Sequence, residues 1–225
     1  MHYLIEFRFH GYAKSYSKRL IYDVGRKFRV RGVTGKKVVP HISLFGPFTT
    51  RYEKKMIAEV INVARNYNLV SFKVKGFDYF DNVSKKVIYL DIEPSVELKQ
   101  LRFDLSNRLR NITNTKSVQD GKDKNQFYFH ATIAFKDIDY KFDQIWRYIK
   151  KKEEPNIQQH LLRITILKGS KIFYEYDLLQ KRLLNRRQAL NKSIFNQTIL
   201  LLKQQQRFQV SKKEISLEEK QITLS

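Results

Sequence analysis

Two short segments of the chain combine a histidine with a hydroxyl residue two positions later. The first, PHISLF, contains His41 and Ser43, and the second, FHATIA, contains His130 and Thr132. Both segments are rich in apolar residues and are typical of β-strands, in which alternate side chains point to the same face. Each histidine therefore shares a face with its hydroxyl, while the apolar neighbours form the opposite, core-facing side.

Two imidazoles that face each other are suited to in-line displacement at a phosphorus atom. A neutral imidazole takes a proton from the attacking oxygen, and a protonated one delivers a proton to the leaving oxygen. Because the ordinary pKa of histidine is about 6.5, both forms coexist near neutral pH. The hydroxyls of Ser43 and Thr132 can donate hydrogen bonds to non-bridging phosphate oxygens, although both could also be ordinary polar residues of a strand. This chemistry needs no metal ion.

The duplicated motif resembles the paired His-x-Ser/Thr signature of the two-histidine (2H) phosphoesterase superfamily, in particular its 2′,5′ RNA ligase and RNA cyclic phosphodiesterase branch. The resemblance covers about residues 1–180. It implies that His41 and His130 are the general acid and base, and that Ser43 and Thr132 contact the phosphate. The implied substrate is RNA with a 2′,3′-cyclic phosphate, which water opens to a phosphomonoester. A 5′-hydroxyl in place of water would give a 2′,5′ linkage. The expected protein is thus an RNA-processing hydrolase without cofactors.

Two other functions are compatible with the sequence. The first is a non-catalytic RNA-binding protein that uses the same scaffold as a basic clamp. The second is a phosphodiesterase for small nucleotides such as 2′,5′ oligoadenylates. A two-histidine metal site is disfavoured, because carboxylates at ligand-like spacing are missing around both motifs. His2, His10 and His160 are not followed two places later by Ser or Thr, so we expect structural or surface roles for them.

The charge of the chain favours a polyanionic partner. Lys and Arg number 44 against 22 Asp and Glu, a net charge of +22. Such a surface attracts nucleic acid or an anionic membrane. The charged Glu6 and Arg8 interrupt the first apolar run, unlike the core of a signal peptide, and later apolar runs are shorter than the roughly 20 residues that span a bilayer. No Cys occurs, which excludes disulfides and Cys-based zinc sites. We expect a soluble, cytoplasmic, monomeric protein that binds RNA and not membranes.

The order of predicted elements favours an α+β fold. Periodicity predicts strands over 2–9, 38–45, 70–79, 86–92, 126–135, 161–167 and 172–178, and helices over 15–31, 52–67, 94–112 and 142–152. Each motif strand lies between helices, so the pattern occurs twice and suggests two lobes around a groove. The resemblance implies the same bilobal, pseudo-two-fold architecture, with two antiparallel sheets facing the groove and helices on the outer faces. A polar segment at 117–126 is expected to be an exposed loop, which either is an ordinary surface connection or shapes the entrance to the site.

The character of the chain changes near residue 180. We expect residues 1–180 to form the bilobal domain and residues 181–225 to form a basic extension. This extension has ten Lys or Arg and three acidic residues, a balance of 10 − 3 = +7. Apolar spacing predicts that it is partly helical and then loosely ordered from about Gln204. Its arginines could contact RNA, or belong to a helix face that packs on the lobes.

Overall fold

The computed structural model of the protein describes residues 1–31, 38–82, 85–115 and 117–222. These residues form ten β-strands, six α-helices and three short 3-10 turns. The strands are β1 (Tyr3–Arg8), β2 (His41–Thr49), β3 (Val70–Asn82), β4 (Lys85–Pro94), β5 (Asn114–Thr115), β6 (His130–Phe135), β7 (Asn156–Leu161), β8 (Arg163–Lys168), β9 (Lys171–Asp177) and β10 (Arg182–Asn185). The helices are α1 (Gly11–Phe28), α2 (Glu53–Ala64), α3 (Val96–Leu109), α4 (Phe142–Lys150), α5 (Arg186–Ala189) and α6 (Lys192–Ile222).

The strands form two antiparallel sheets, so the fold is α+β as the sequence predicts. One sheet has six strands in the order β10-β9-β8-β1-β2-β5, and the other has four in the order β6-β4-β3-β7. The first motif strand, β2, belongs to the six-stranded sheet, and the second, β6, belongs to the four-stranded sheet. Each sheet therefore contributes one histidine motif.

Each sheet is built from both halves of the chain. The hairpin β3–β4 pairs with β6, and the hairpin β8–β9 joins β1 and β2. Sequence periodicity predicts both hairpins but not their partners, because alternation fixes the faces of a strand and not its neighbours. The centre of the turn between β3 and β4, Val83 and Ser84, lies outside the described residues.

The strand patterns are explained by one continuous hydrophobic core. In β1, Tyr3, Ile5 and Phe7 are at most 5% exposed. Helices α2 and α3 pack against each other and bury stripes at helical spacing, which contain Met56, Val60, Leu98, Leu101 and Leu105. The start of α3 is fixed by Ser95, whose side chain accepts a hydrogen bond from the backbone N–H of Leu98 at 3.2 Å.

The extension after residue 180 is integrated with the six-stranded sheet. Strand β10 pairs with β9, and α6 is helical to Ile222, which corrects the expectation of loose order from Gln204. The sequence of α6 contains neither Gly nor Pro, and its second half is rich in Gln, Lys and Glu, which favour helices. Among the described residues, no helix combines the length and the apolar character needed to cross a lipid bilayer.

Candidate active site

The two motif histidines are held by the same local hydrogen bond. Nδ1 of His41 lies 2.9 Å from the carbonyl oxygen of Val39, and Nδ1 of His130 lies 3.0 Å from that of Tyr128. A carbonyl oxygen can only accept, so each Nδ1 carries a hydrogen and each Nε2 is the nitrogen with the free lone pair. Both rings are therefore prepared to exchange protons through Nε2.

The two imidazoles influence each other across the gap between the sheets. Strands β2 and β6 pack side by side, although they belong to different sheets. Burial lowers the pKa of His130 below its ordinary value of 6.5, and a positive charge on His41 lowers this pKa further. His41 and His130 thus lie close enough for a charge on the first to affect the second.

Ser43 and Thr132 lie on the accessible faces of their strands, together with the histidines. Both hydroxyl residues are half-buried, whereas the alternate residues Ile42 and Ala131 are buried. Directly after each hydroxyl the strand pairing skips one residue: Leu44 has no partner in the β1–β2 ladder, and neither has Ile133 in the β4–β6 ladder. Such β-bulges bend a strand and redirect its side chains, and they are frequent beside active sites.

A buried carboxylate lies next to His41. Glu6 of β1 is 2% exposed, and its Oε2 lies 3.6 Å from Nε2 of His41. Its Oε1 accepts a 2.6 Å hydrogen bond from Nε of Arg8. When His41 is protonated, it forms an ion pair with Glu6, whose charge is shared with Arg8. In the sequence, Glu6 and Arg8 stand out only as the polar residues of an alternating strand.

Aromatic rings surround His130 instead. The ring of Phe80 meets the imidazole edge to face at 5.0 Å, and the ring of Tyr89 lies 5.2 Å from it. The hydroxyl of Tyr89 donates to Asp78 at 3.3 Å, and burial and this carboxylate raise the Tyr89 pKa. These rings remove water from one side of His130, which explains why desolvation is the main cause of its lowered pKa. The sequence held no signal for this contact, because aromatic residues are frequent throughout the chain.

The segment before β6 is fixed to β2. Asp120 is 2% exposed, and its carboxylate accepts hydrogen bonds from the backbone N–H of Gly46 at 3.1 and 3.2 Å. Arg102 of α3 is fully buried and lies 3.8 Å from Asp120, with its Nη1 donating to the Lys122 carbonyl at 3.0 Å. The polar segment 117–126 is largely exposed, as expected of a surface loop, but the buried Asp120 anchors it to β2.

The other histidines have structural contacts or lie at the surface. Nε2 of His10 is 2.9 Å from the carbonyl oxygen of His160, and Nε2 of His160 is 3.0 Å from the side-chain amide of Gln206. His2 is exposed. The described residues contain no cluster of three or more His, Asp or Glu side chains placed to hold a metal ion.

Comparisons with known proteins agree with this architecture. The model of the 2′-5′ RNA ligase superfamily matches residues 26–171. The crystal structure of TT0787 of Thermus thermophilus is similar with a TM-score of 0.52 at 9% identity, over 80% of this chain and 98% of that one. Usb1 of Kluyveromyces marxianus is similar with a TM-score of 0.48 at 12% identity, over 76% of this chain and 94% of its own.

A second structure of that Usb1, with uridine monophosphate, gives a TM-score of 0.45 at 11% identity, over 76% of this chain and 95% of its own. No curated protein sequence matches the chain. The superfamily model nevertheless covers well over half of the 225 residues, and the fold is the one expected from the duplicated motif. The chain belongs to the 2′-5′ RNA ligase superfamily, the two-histidine phosphoesterases.

Proposed function

We propose that this protein is a metal-independent 2′,3′-cyclic phosphodiesterase that acts on RNA ends. The observation that carries the proposal is the equivalence of the two histidines. Each has its Nδ1 hydrogen bonded to the carbonyl two residues earlier, and each has a hydroxyl residue on the same face. An acid and a base arranged in this way, with donors for a phosphate between them, are what displacement at phosphorus requires.

The different surroundings of the histidines support a separate role for each. His130 has a lowered pKa, so it is neutral near pH 7 and its Nε2 accepts the proton of the attacking water. As the water oxygen bonds to phosphorus, the bond from phosphorus to one ribose oxygen breaks. His41, which is paired with Glu6 when protonated, then donates its Nε2 proton to that leaving oxygen. The product is a phosphomonoester beside a free ribose hydroxyl.

Ser43 and Thr132 stabilise the phosphate during this step. Their hydroxyls donate hydrogen bonds to the two non-bridging oxygens, which carry negative charge before, during and after the displacement. If a 5′-hydroxyl of a second RNA replaces the water, the same proton transfers join the two strands. The same active site can therefore catalyse hydrolysis, with water as the nucleophile, and ligation, with a 5′-hydroxyl as the nucleophile.

Product analysis tests the reaction. A short RNA with a terminal 2′,3′-cyclic phosphate is incubated with the wild type and with the His41→Gln and His130→Gln variants, and the products are separated by chromatography. We expect conversion to a phosphomonoester, which each substitution slows by about 10²–10⁴-fold because a general acid or base is lost. His2→Gln, at an exposed histidine outside the motifs, is the matched control, and circular dichroism checks that each variant is folded.

Four outcomes would contradict parts of the proposal. Full activity of both motif variants would remove the histidines from the mechanism. RNA binding without conversion by the wild type would indicate the non-catalytic clamp, and conversion only of small nucleotides such as 2′,5′ oligoadenylates would indicate the other alternative. Loss of activity in EDTA would show that the reaction needs a metal ion.

A further inference from the structure

A cavity of about 490 Å³ lies beside β1, outside the pair of motif histidines. This volume is within the range of ligand sites in proteins. Its lining includes Arg8 and Lys14 on one side and Asn191, Lys192 and Phe195 on the other. The first side belongs to the start of the chain, and the second belongs to the basic extension.

The cavity adjoins two residues that are neighbours of His41. Arg8, in its lining, is the cross-strand partner of His41 and donates to Glu6, the carboxylate beside that histidine. Val39 also lines the cavity, and its carbonyl oxygen orients the His41 ring. The cavity therefore begins beside the residues that pair with His41 and orient its ring.

The extension supplies the outer wall because a buried ionic cluster holds it on the six-stranded sheet. Arg163 of β8 donates to Asp177 at 2.9 Å and to the Thr198 hydroxyl of α6 at 3.0 Å, and the Thr198 hydroxyl donates to Asp177 at 2.6 Å. Cross-strand pairing places Ser43, Glu6, Thr165 and Glu175 in one row, so their side chains share one face of the sheet. Arg163 lies two residues before Thr165 and therefore on the same face, so the part of α6 that it binds through Thr198 also lies on the side of Ser43. The wall consists of residues beyond the 26–171 segment that matches the superfamily model.

The charge of the cavity favours an anion. Burial lowers the pKa of Lys14, and the nearby charges of Lys18 and Arg8 lower it further, so positive charges converge here. Within the described part of the chain, neither Lys14 nor Lys192 has an ion-pair partner. The one carboxylate of the lining, Glu175, is bound by Arg163 and Thr165.

The cavity also offers an aromatic surface and amides. The half-buried ring of Phe195 contacts His10 and lies 5.0 Å from the guanidinium carbon of Arg163. Asn191 and Asn196 add exposed amide groups. Cations for a phosphate, a ring for a base and amides for polar edges are the groups that recognise one nucleotide of single-stranded RNA.

We propose that this cavity, closed by the extension, binds the penultimate nucleotide of the RNA, the one next to the terminal cyclic phosphate. This inference rests on the proposed function and adds to it a preference for RNA chains over mononucleotides. The last nucleotide occupies the groove between the histidines, and the phosphate that precedes it lies between Lys14 and Lys192.

The test compares two substrates, a nucleoside 2′,3′-cyclic phosphate and a trinucleotide with the same end. For the wild type we expect kcat/KM to be about tenfold higher for the trinucleotide, since charged hydrogen bonds to one phosphate are worth about that factor. The double variant Lys14→Ala/Lys192→Ala should lose this advantage through a higher KM, with the mononucleotide rate unchanged. Lys55→Ala, at an exposed lysine of α2 that does not line the cavity, is the matched control and should keep the advantage.

The outcomes separate this inference from the proposed function. If the wild type converts both substrates without preferring the trinucleotide, the cavity assignment is wrong while the phosphodiesterase activity stands. The same conclusion follows if the double variant keeps the wild-type preference for the trinucleotide. If the wild type converts neither substrate, the proposed function fails and the inference fails with it. An equal loss for both substrates in the double variant would also overturn the assignment, since it would place the lysines at the reacting phosphate.

Discussion

The two motif histidines have the same sequence environment but different physical environments. His41 lies beside the carboxylate of Glu6, which is itself hydrogen bonded to Arg8. His130 lies against the rings of Phe80 and Tyr89, which cover one side of its imidazole. Burial favours the neutral form of His130, which suits the base of the proposed mechanism, and the carboxylate of Glu6 beside His41 suits its acid.

The lowered pKa of His130 predicts the pH dependence of the reaction. A base with a depressed pKa stays neutral to lower pH, so the acid limb of kcat/KM should lie below pH 6.5, and activity should be lost as the pH falls through that lowered value. Phe80→Ala should move the limb upward, toward the ordinary value, because water then reaches the imidazolium. The measurements are pH–rate profiles and histidine titration by NMR.

Phe173→Ala is the matched control, since Phe173 is a half-buried ring that contacts Tyr3 and not His130. This variant should keep the wild-type limb. An acid limb that stays in place or moves downward in Phe80→Ala would show that the ring does not set the protonation of His130.

Residue spacing predicts the four motif residues but not their neighbours. His41, Ser43, His130 and Thr132 follow from a period of two within apolar strands. Glu6 lies in a strand that alternation also predicts, yet its contact with His41 depends on the register of β1 against β2. That register contains a bulge, and no local pattern encodes it.

At the scale of elements, the polar segment before β6 links β2 to α3, a structural role that its composition does not indicate. Asp120 binds the backbone of Gly46 at one end of the site, and Arg102 holds the same segment from α3. Gly46 has φ +104°, and a Cβ atom there would meet a ring carbon of Phe48 at 2.9 Å. Glycine permits this backbone conformation. The N–H of Gly46 then donates to Asp120, which fixes β2 to the segment leading to His130.

Removing Arg102 should destabilise the protein strongly. Arg102→Met leaves the carboxylate of Asp120 buried without its cation, and we expect the free energy of unfolding to fall by about 3–5 kcal/mol in urea denaturation. Arg108→Met, at an exposed position of the same helix, should change it by less than about 0.5 kcal/mol. Adding Asp120→Asn to Arg102→Met should recover part of the loss. A double variant less stable than Arg102→Met alone would contradict this account.

Elements with a strong periodic pattern were predictable, and those fixed by pairing were not. The stripes of α2 and α3 and the hairpin β8–β9 follow from apolar spacing and from the turn at Gly169. Strand β7, with the polar sequence NIQQHL, has no such alternation and owes its extended form to pairing with β3. The same holds for β10, which was predicted as part of a helical extension and instead pairs with β9.

At the scale of the molecule, the charge of +22 should govern how RNA is attracted. For single strands the logarithm of the binding constant falls by about 0.7 per phosphate contact for each tenfold increase in salt. With about three contacts, binding of a short single-stranded RNA should weaken roughly 20-fold between 50 and 200 mM KCl, which fluorescence anisotropy measures. A nucleoside 2′,3′-cyclic phosphate, with one charge, should respond far less. Salt-independent RNA binding would show that the basic surface has no part in recognition.

Each sheet contains strands from both halves of the chain, so neither sheet is complete until late in synthesis. Strand β1 has β2 on one side and needs β8 on the other, and the wall formed by α6 is held by Arg163 and Asp177. A nascent chain that has left the ribosome only as far as His130 possesses both histidines, but the sheet that carries His41 is incomplete. If the proposed function is correct, activity should appear only after the last strands emerge, and chains that end soon after His130 should carry both motifs without being active.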